Sequence, residues 1–72
     1  MQAQAALKLT INGEDRTLAG LVSLADLVDS LGLDPRKVAV ERNLEIVPRS
    51  AYSSVRLADG DRIEIVHFIG GG

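Results

Sequence analysis

The chemistry open to this 72-residue chain gathers at its last six residues, "HFIGGG" at 67–72. There is no cysteine, so thiolate nucleophiles, persulfide carriers, disulfides and zinc–thiolate sites are excluded by composition. His67 is the sole imidazole and has no second histidine with which to share a metal. Ser50, Ser53 and Ser54 lie in a loop-like stretch and read as turn formers, and no pair among the ten acidic residues stands out as a general acid and base. What is distinctive is the carboxylate of Gly72. With a pKa of roughly 3.3 to 3.7 it is a stable anion and a poor electrophile at neutral pH. Adenylation would convert it to a reactive acyl-AMP, and a terminal glycine, lacking Cβ, leaves the adjacent carbonyl open to attack. An extended arm over 68–72 reaches about 16 to 18 Å, enough to thread a narrow entry channel.

A glycine run also describes an ordinary frayed terminus. Two features favour a functional tail. It follows a strand pattern with no polar spacer, and Val66 and Phe68 at its root form an exposed apolar patch suited to docking. The glycines precede no helix, so they are not a phosphate-cradling loop, and nucleotide binding by the chain itself is not expected.

The elements that must position this tail follow from periodicity. Residues 7–12, "LKLTIN", alternate as a half-buried strand, and Asn12-Gly13 supplies a two-residue turn that returns 16–19 antiparallel. Ser23 with Asp26 forms a capping box, with Val22 stapled onto Leu27. Leu24, Leu27, Val28 and Leu31 make one apolar stripe of a helix about two and a half turns long, which Gly32 and Pro35 stop. "KVAVER" places Val38 and Val40 inward; "LEIVPR" is a shorter strand that Pro48 confines to an edge. "SAYSS" reads as irregular. Asp59-Gly60 turns into a last strand with Ile63, Ile65 and His67 on one face, His67 at the rim of the core, and Arg62, Glu64, Val66 and Phe68 on the other. Two strands, one helix and two or three further strands predict an α+β fold of ubiquitin-like β-grasp type. In it a mixed sheet of four to five strands carries the helix on one face, with the first and last strands adjacent at its centre.

Seventy-two residues make one domain, 1–72, with 1–6 expected to be a disordered extension and 68–72 a flexible functional tail. Tyr52 and Phe68 are the only aromatics, which predicts an aliphatic core. The net charge of −2 is spread in alternating signs, which argues against nucleic acid. With neither a signal peptide nor a membrane-spanning run, a soluble cytoplasmic protein is expected.

Over residues 7–72 the chain resembles the ThiS family, the ubiquitin-like sulfur carriers of thiamin biosynthesis. The resemblance rests on "INGE" at 11–14, "SLADLV" at 23–28, "VAVERNLEIVPRS" at 38–50 and "DGDRIEIVHFIGGG" at 59–72. It implies that an ATP-dependent, ThiF-like adenylating enzyme activates Gly72, and that sulfur from a donor protein replaces AMP to give a thiocarboxylate. A ThiG-like thiazole synthase then receives the sulfur. The resemblance thus implies a protein substrate and not an enzyme, with no cofactor bound by the chain itself and the ATP used by its partner; with one histidine and no cysteine, no metal site is expected. Gly71 and Gly72 match the family's terminal pair, Gly70 extends the arm, and Val66, Phe68 and Ile69 hold the docking positions. One departure is Asn43-Leu44, where many members have Asn-Gly. Leu44 suits positive φ poorly, so another turn type is expected there.

Three other readings share these patterns. The small subunit of molybdopterin synthase has the same terminal glycines and a different acceptor. A β-grasp regulatory module has no chemistry of its own, and a ubiquitin-like modifier is joined to lysines.

Overall fold

The computed structural model describes residues 6–68. Five strands and one helix follow in the order β1 (Ala6–Ile11), β2 (Glu14–Ala19), α1 (Leu24–Ser30), β3 (Val38–Arg42), β4 (Glu45–Val47) and β5 (Arg62–His67). Short 3₁₀ turns at Pro35–Lys37 and Arg49–Ala51 complete the chain. The sheet order is β2-β1-β5-β3-β4, with β1 and β5 parallel at the centre and every other pair antiparallel. This is the expected β-grasp, with β4 at an edge, where Pro48 can follow without removing a ladder hydrogen bond.

The β1–β2 hairpin forms because Asn12 and Gly13 take φ of 50° and 82°, the geometry whose twist matches the flanking strands. Ile11 faces Glu14 directly, so β2 starts two residues earlier than its apolar pattern suggests. At the other end Ala6 pairs with Ala19, which places it in β1 and not in the disordered extension expected over 1–6. Residues 1–5 lie outside the described residues.

The capping box of α1 is present. The Ser23 hydroxyl accepts from the Asp26 N–H at 3.1 Å, and the Asp26 carboxylate accepts from the Ser23 and Val22 N–H groups at 2.9 Å each. Those backbone bonds from Ser23 and Val22 hold the Asp26 carboxyl below its usual range. Two further N–H groups of the first turn, on Leu24 and Ala25, donate to the carbonyls of Val55 and Tyr52, both at 2.9 Å. The helix runs Leu24–Ser30 with Leu31 as its C-cap, whose N–H donates to the Leu27 carbonyl at 3.1 Å, and Gly32 at φ 73° turns the chain away as expected. Asp34 caps the next turn through Arg36, whose guanidinium and N–H lower its carboxyl to about 2.

Leu9, Ile11, Leu24, Leu27, Val28, Val38, Val40, Tyr52 and Ile63 form the core between helix and sheet. Tyr52 corrects the expectation of an aliphatic core. The irregular "SAYSS" segment winds into a 3₁₀ turn that drives this ring inward, and burial pushes its phenol up.

Leu44 supplies the second correction. Arg42 faces Glu45, and the two residues between them, Asn43 and Leu44, stand at φ 52° and 73°. The hairpin therefore uses the double positive-φ turn despite its leucine. Asn43 compensates by bonding to β5: its amide accepts from the Arg62 N–H at 2.9 Å, and its own N–H donates to the Arg62 carbonyl at 2.8 Å. Leu44 is 73% exposed, so no burial offsets its left-handed backbone. Leu44→Gly should raise the unfolding free energy by about 0.5–1 kcal/mol, since left-handed strain exceeds the extra entropy of an unfolded glycine. Urea titration at unchanged m-value checks this; a loss of stability would mean that Leu44 makes contacts worth more than its strain.

Candidate functional site

β5 carries the chain toward Gly72 and is anchored at three levels. At its start, the turn before it is tied to β1. The Asp59 carboxylate accepts from the Lys8 N–H at 2.7 Å, the Gly60 N–H donates to the Lys8 carbonyl at 2.7 Å, and the Thr10 N–H donates to the Asp61 carbonyl at 3.0 Å. Gly60 stands at φ 88°, which this turn requires.

The Asp61 side chain, buried at that turn, is the hub. It accepts from Arg42 Nε at 2.9 Å, from the Ala58 N–H at 2.8 Å and from Asn43 Nδ2 at 3.0 Å. Burial alone would push its carboxyl up; the bonds from Arg42, Ala58 and Asn43 together outweigh that and hold it below its ordinary value. One carboxylate thus joins the β5 entry turn, strand β3 and the β3–β4 turn.

Midway, β1 turns back after pairing Thr10 with Arg62 and Ile11 with Ile63. The Asn12 amide then takes the place of a strand. Its oxygen accepts from the Ile65 N–H at 2.7 Å, and its NH₂ donates to the Ile65 carbonyl at 3.2 Å. On the opposite side β3 pairs with β5 through to Val38–His67, and the Phe68 N–H donates to the Lys37 carbonyl at 2.8 Å. β5 is therefore held as far as the last described residue.

Val66 and Phe68 lie on the face away from the helix, 62% and 52% exposed, so these two of the three expected docking residues are accessible. His67 has the expected parity but is exposed, not packed at the core rim. It lines an open groove of about 300 Å³ with Ile11, Leu31, Leu33 and Arg16. Ile69, Gly70, Gly71 and Gly72, the other candidate site residues, lie outside the described residues. The positioning roles of Asn12 and Asp61 escaped the sequence reading. Asn12 drew notice only as a turn former, although its amide, identical in chemistry to a peptide group, was the available signal.

Among the described residues no group of three His, Asp or Glu side chains is arranged to hold a metal, and no helix is long and apolar enough to cross a membrane.

The ThiS family model matches residues 9–72. A sulfur carrier protein ThiS of Bacillus subtilis is 45% identical over 89% of this chain and 98% of its own. A thiazole synthase of Paramagnetospirillum magneticum is 58% identical over 92% of this chain. This chain spans only about a fifth of the synthase's length, 20%. The crystal structure of a thiamine biosynthesis protein, ThiS, from Geobacter metallireducens superposes with a TM-score of 0.78 at 33% identity, covering 92% of this chain and all of that one.

Asp61 generates a pH prediction. Its folded-state carboxyl titrates below its unfolded value, so the stability it contributes is present above about pH 5 and is lost as pH falls through the folded value. Asp61→Asn should therefore cost about 1–3 kcal/mol at pH 7. The gap to the parent should narrow steadily below pH 5, leaving the acid sensitivity of Asp26 and Asp34 in both proteins. Urea midpoints from pH 7 downward measure it; a gap independent of pH would show that the Asp61 charge is not what secures this turn.

Proposed function

The chain belongs to the ThiS family, and from that membership we propose that it carries sulfur for thiazole formation in thiamin biosynthesis on the carboxylate of Gly72. The carboxylate attacks the α-phosphorus of ATP on a ThiF-like enzyme, and pyrophosphate leaves. Hydrosulfide, sulfur already at the sulfide level and released by a donor protein, then attacks the acyl-adenylate; AMP departs with one carboxylate oxygen, and loss of the sulfur's proton leaves a thiocarboxylate. Gly70 and Gly71 supply an arm without side chains, and Val66, Phe68 and Ile69 dock on the partners. The chain is acted upon in the cytoplasm and contributes no catalytic group; ATP is bound by the adenylating enzyme.

The observation that carries this reading is the anchoring of β5, on the β1 side as far as Ile65 and on the β3 side as far as Phe68, beside exposed Val66 and Phe68. A rigid strand delivering a short arm restricts where the arm's end travels, which lowers the ordering cost of placing it in an active site. The resemblance of this chain to part of two thiazole synthases, from Paramagnetospirillum magneticum and Magnetococcus marinus, supports the synthase as the acceptor of the sulfur.

Deletion of Gly72 separates chemistry from folding. With the adenylating enzyme, the full chain should support exchange of labelled pyrophosphate into ATP. The shortened chain should support none and should unfold at the same temperature. Equal exchange by both chains would remove Gly72 from the reaction, and a large drop in the unfolding temperature would make the tail structural.

A further inference from the structure

The sheet face away from the helix carries an arrangement that folding does not favour. Glu41 of β3 and Glu64 of β5 stand directly opposite each other. In such a pair the Cβ atoms lie about 4.5–5.5 Å apart, and like charges there are destabilising. The ion pairs among the described residues are Arg36–Asp34 and Arg42–Asp61, and neither glutamate takes part. Among the described residues Asp15, Asp26, Asp34, Asp59 and Asp61 accept hydrogen bonds, whereas neither Glu41 nor Glu64 does, and these two are the acids that stand opposite each other.

Exposed Arg62 precedes Glu64 by two residues on the same face, and on the sides toward β4 and the tail the surroundings are apolar. Ile46 of β4, 76% exposed, faces Glu41, and Val66, 62% exposed, follows Glu64 on the same face. Ala39 sits opposite Val66, and its small side chain leaves the surface open beside the two carboxylates. Phe68 continues this face toward the tail. Two unpaired anions between exposed aliphatic side chains match a long basic side chain, whose charged head pairs with the carboxylates while its methylene stem lies against Ile46 and Val66.

We infer that this face receives an arginine or lysine of the thiazole synthase between Glu41 and Glu64, with Ile46 and Val66 packed around its stem. The inference rests on the sulfur-carrier reading and adds what the partner's surface must contain. Arg62 on the same face makes no ion pair with either glutamate, and a basic side chain seated between the two carboxylates relieves their cross-strand repulsion directly. An anionic partner, whether nucleic acid or an acidic membrane, would meet the same charge as repulsion.

The test is calorimetric titration of the full chain into purified thiazole synthase at low and at high salt. The variants are Glu41→Gln, Glu64→Gln, Val66→Ser and, as a control on the helix, Asp29→Asn. Each glutamine variant should bind about five- to tenfold more weakly and lose part of the salt dependence, while its unfolding temperature stays level or rises. Val66→Ser should also weaken binding, and Asp29→Asn should not. Glutamine variants that bind like the parent while Val66→Ser binds weakly would overturn the acid-pair inference and leave the docking face standing. Parent-like binding by all four would sink both. Weaker binding accompanied by a lower unfolding temperature would show that the glutamates are structural, and would also overturn the inference.

Discussion

β5 has to be the best-held strand of the sheet and also the one that leaves it. Its parallel neighbour β1 turns away after two registered pairs, so ladder hydrogen bonds alone would leave the second half of β5 unsupported on that side. Two side chains fill the deficit. The Asn12 amide replaces a peptide group opposite Ile65, and the Asp61 carboxylate draws the entry turn, Arg42 and Asn43 together. Secured at both ends, β5 presents Val66 and Phe68 in fixed positions, and any arm beyond Phe68 starts from a defined point.

The price of this construction appears at the turns. Asn43 and Leu44 adopt a backbone that leucine disfavours, and Asn43 is retained there by its bonds to Asp61 and Arg62. Tertiary bonding through the asparagine decides the turn type, and the leucine follows. The same coupling ties the β3–β4 edge to β5, so Ile46 and Glu41 share a face with Glu64 and Val66 in fixed register. The surface beside the tail root is in this way a product of the same few side-chain bonds that fix the strand.

Much of this was legible in the residue order. Alternation gave β1, β3 and β5 their faces, Ser23 with Asp26 marked the helix start, and the apolar stripe identified Leu24, Leu27 and Val28 as core. The misreadings have a common origin in long-range contacts. Tyr52 lies in a segment with no periodicity, and its burial depends on the turn at Arg49–Ala51 docking under the helix. His67 has an inward parity, yet it is exposed beside an open groove: parity gives the face of the sheet and not how far other elements cover it. Leu44 was judged by its own backbone preference, whereas its neighbour's bonds across the sheet set the turn. At the candidate site, the exposure of Val66 and Phe68 was readable, and the clamps that hold their strand were not, since a single Asn or Asp gives no local sign of a partner roughly fifty or twenty residues away.

The central claim is that sulfur travels on the backbone terminus of a chain without cysteine. Its most direct test is the intact mass of the full chain after incubation with the adenylating enzyme, ATP and a sulfur donor, followed by a thiol-selective alkylating reagent. The reagent separates sulfur uptake from oxidation of Met1, which changes the mass by nearly the same amount. The account predicts one oxygen replaced by sulfur and a single alkyl group, located on Gly72 by fragmentation. An unalkylated chain under conditions where ATP is consumed, or an alkyl group located anywhere else, would contradict it.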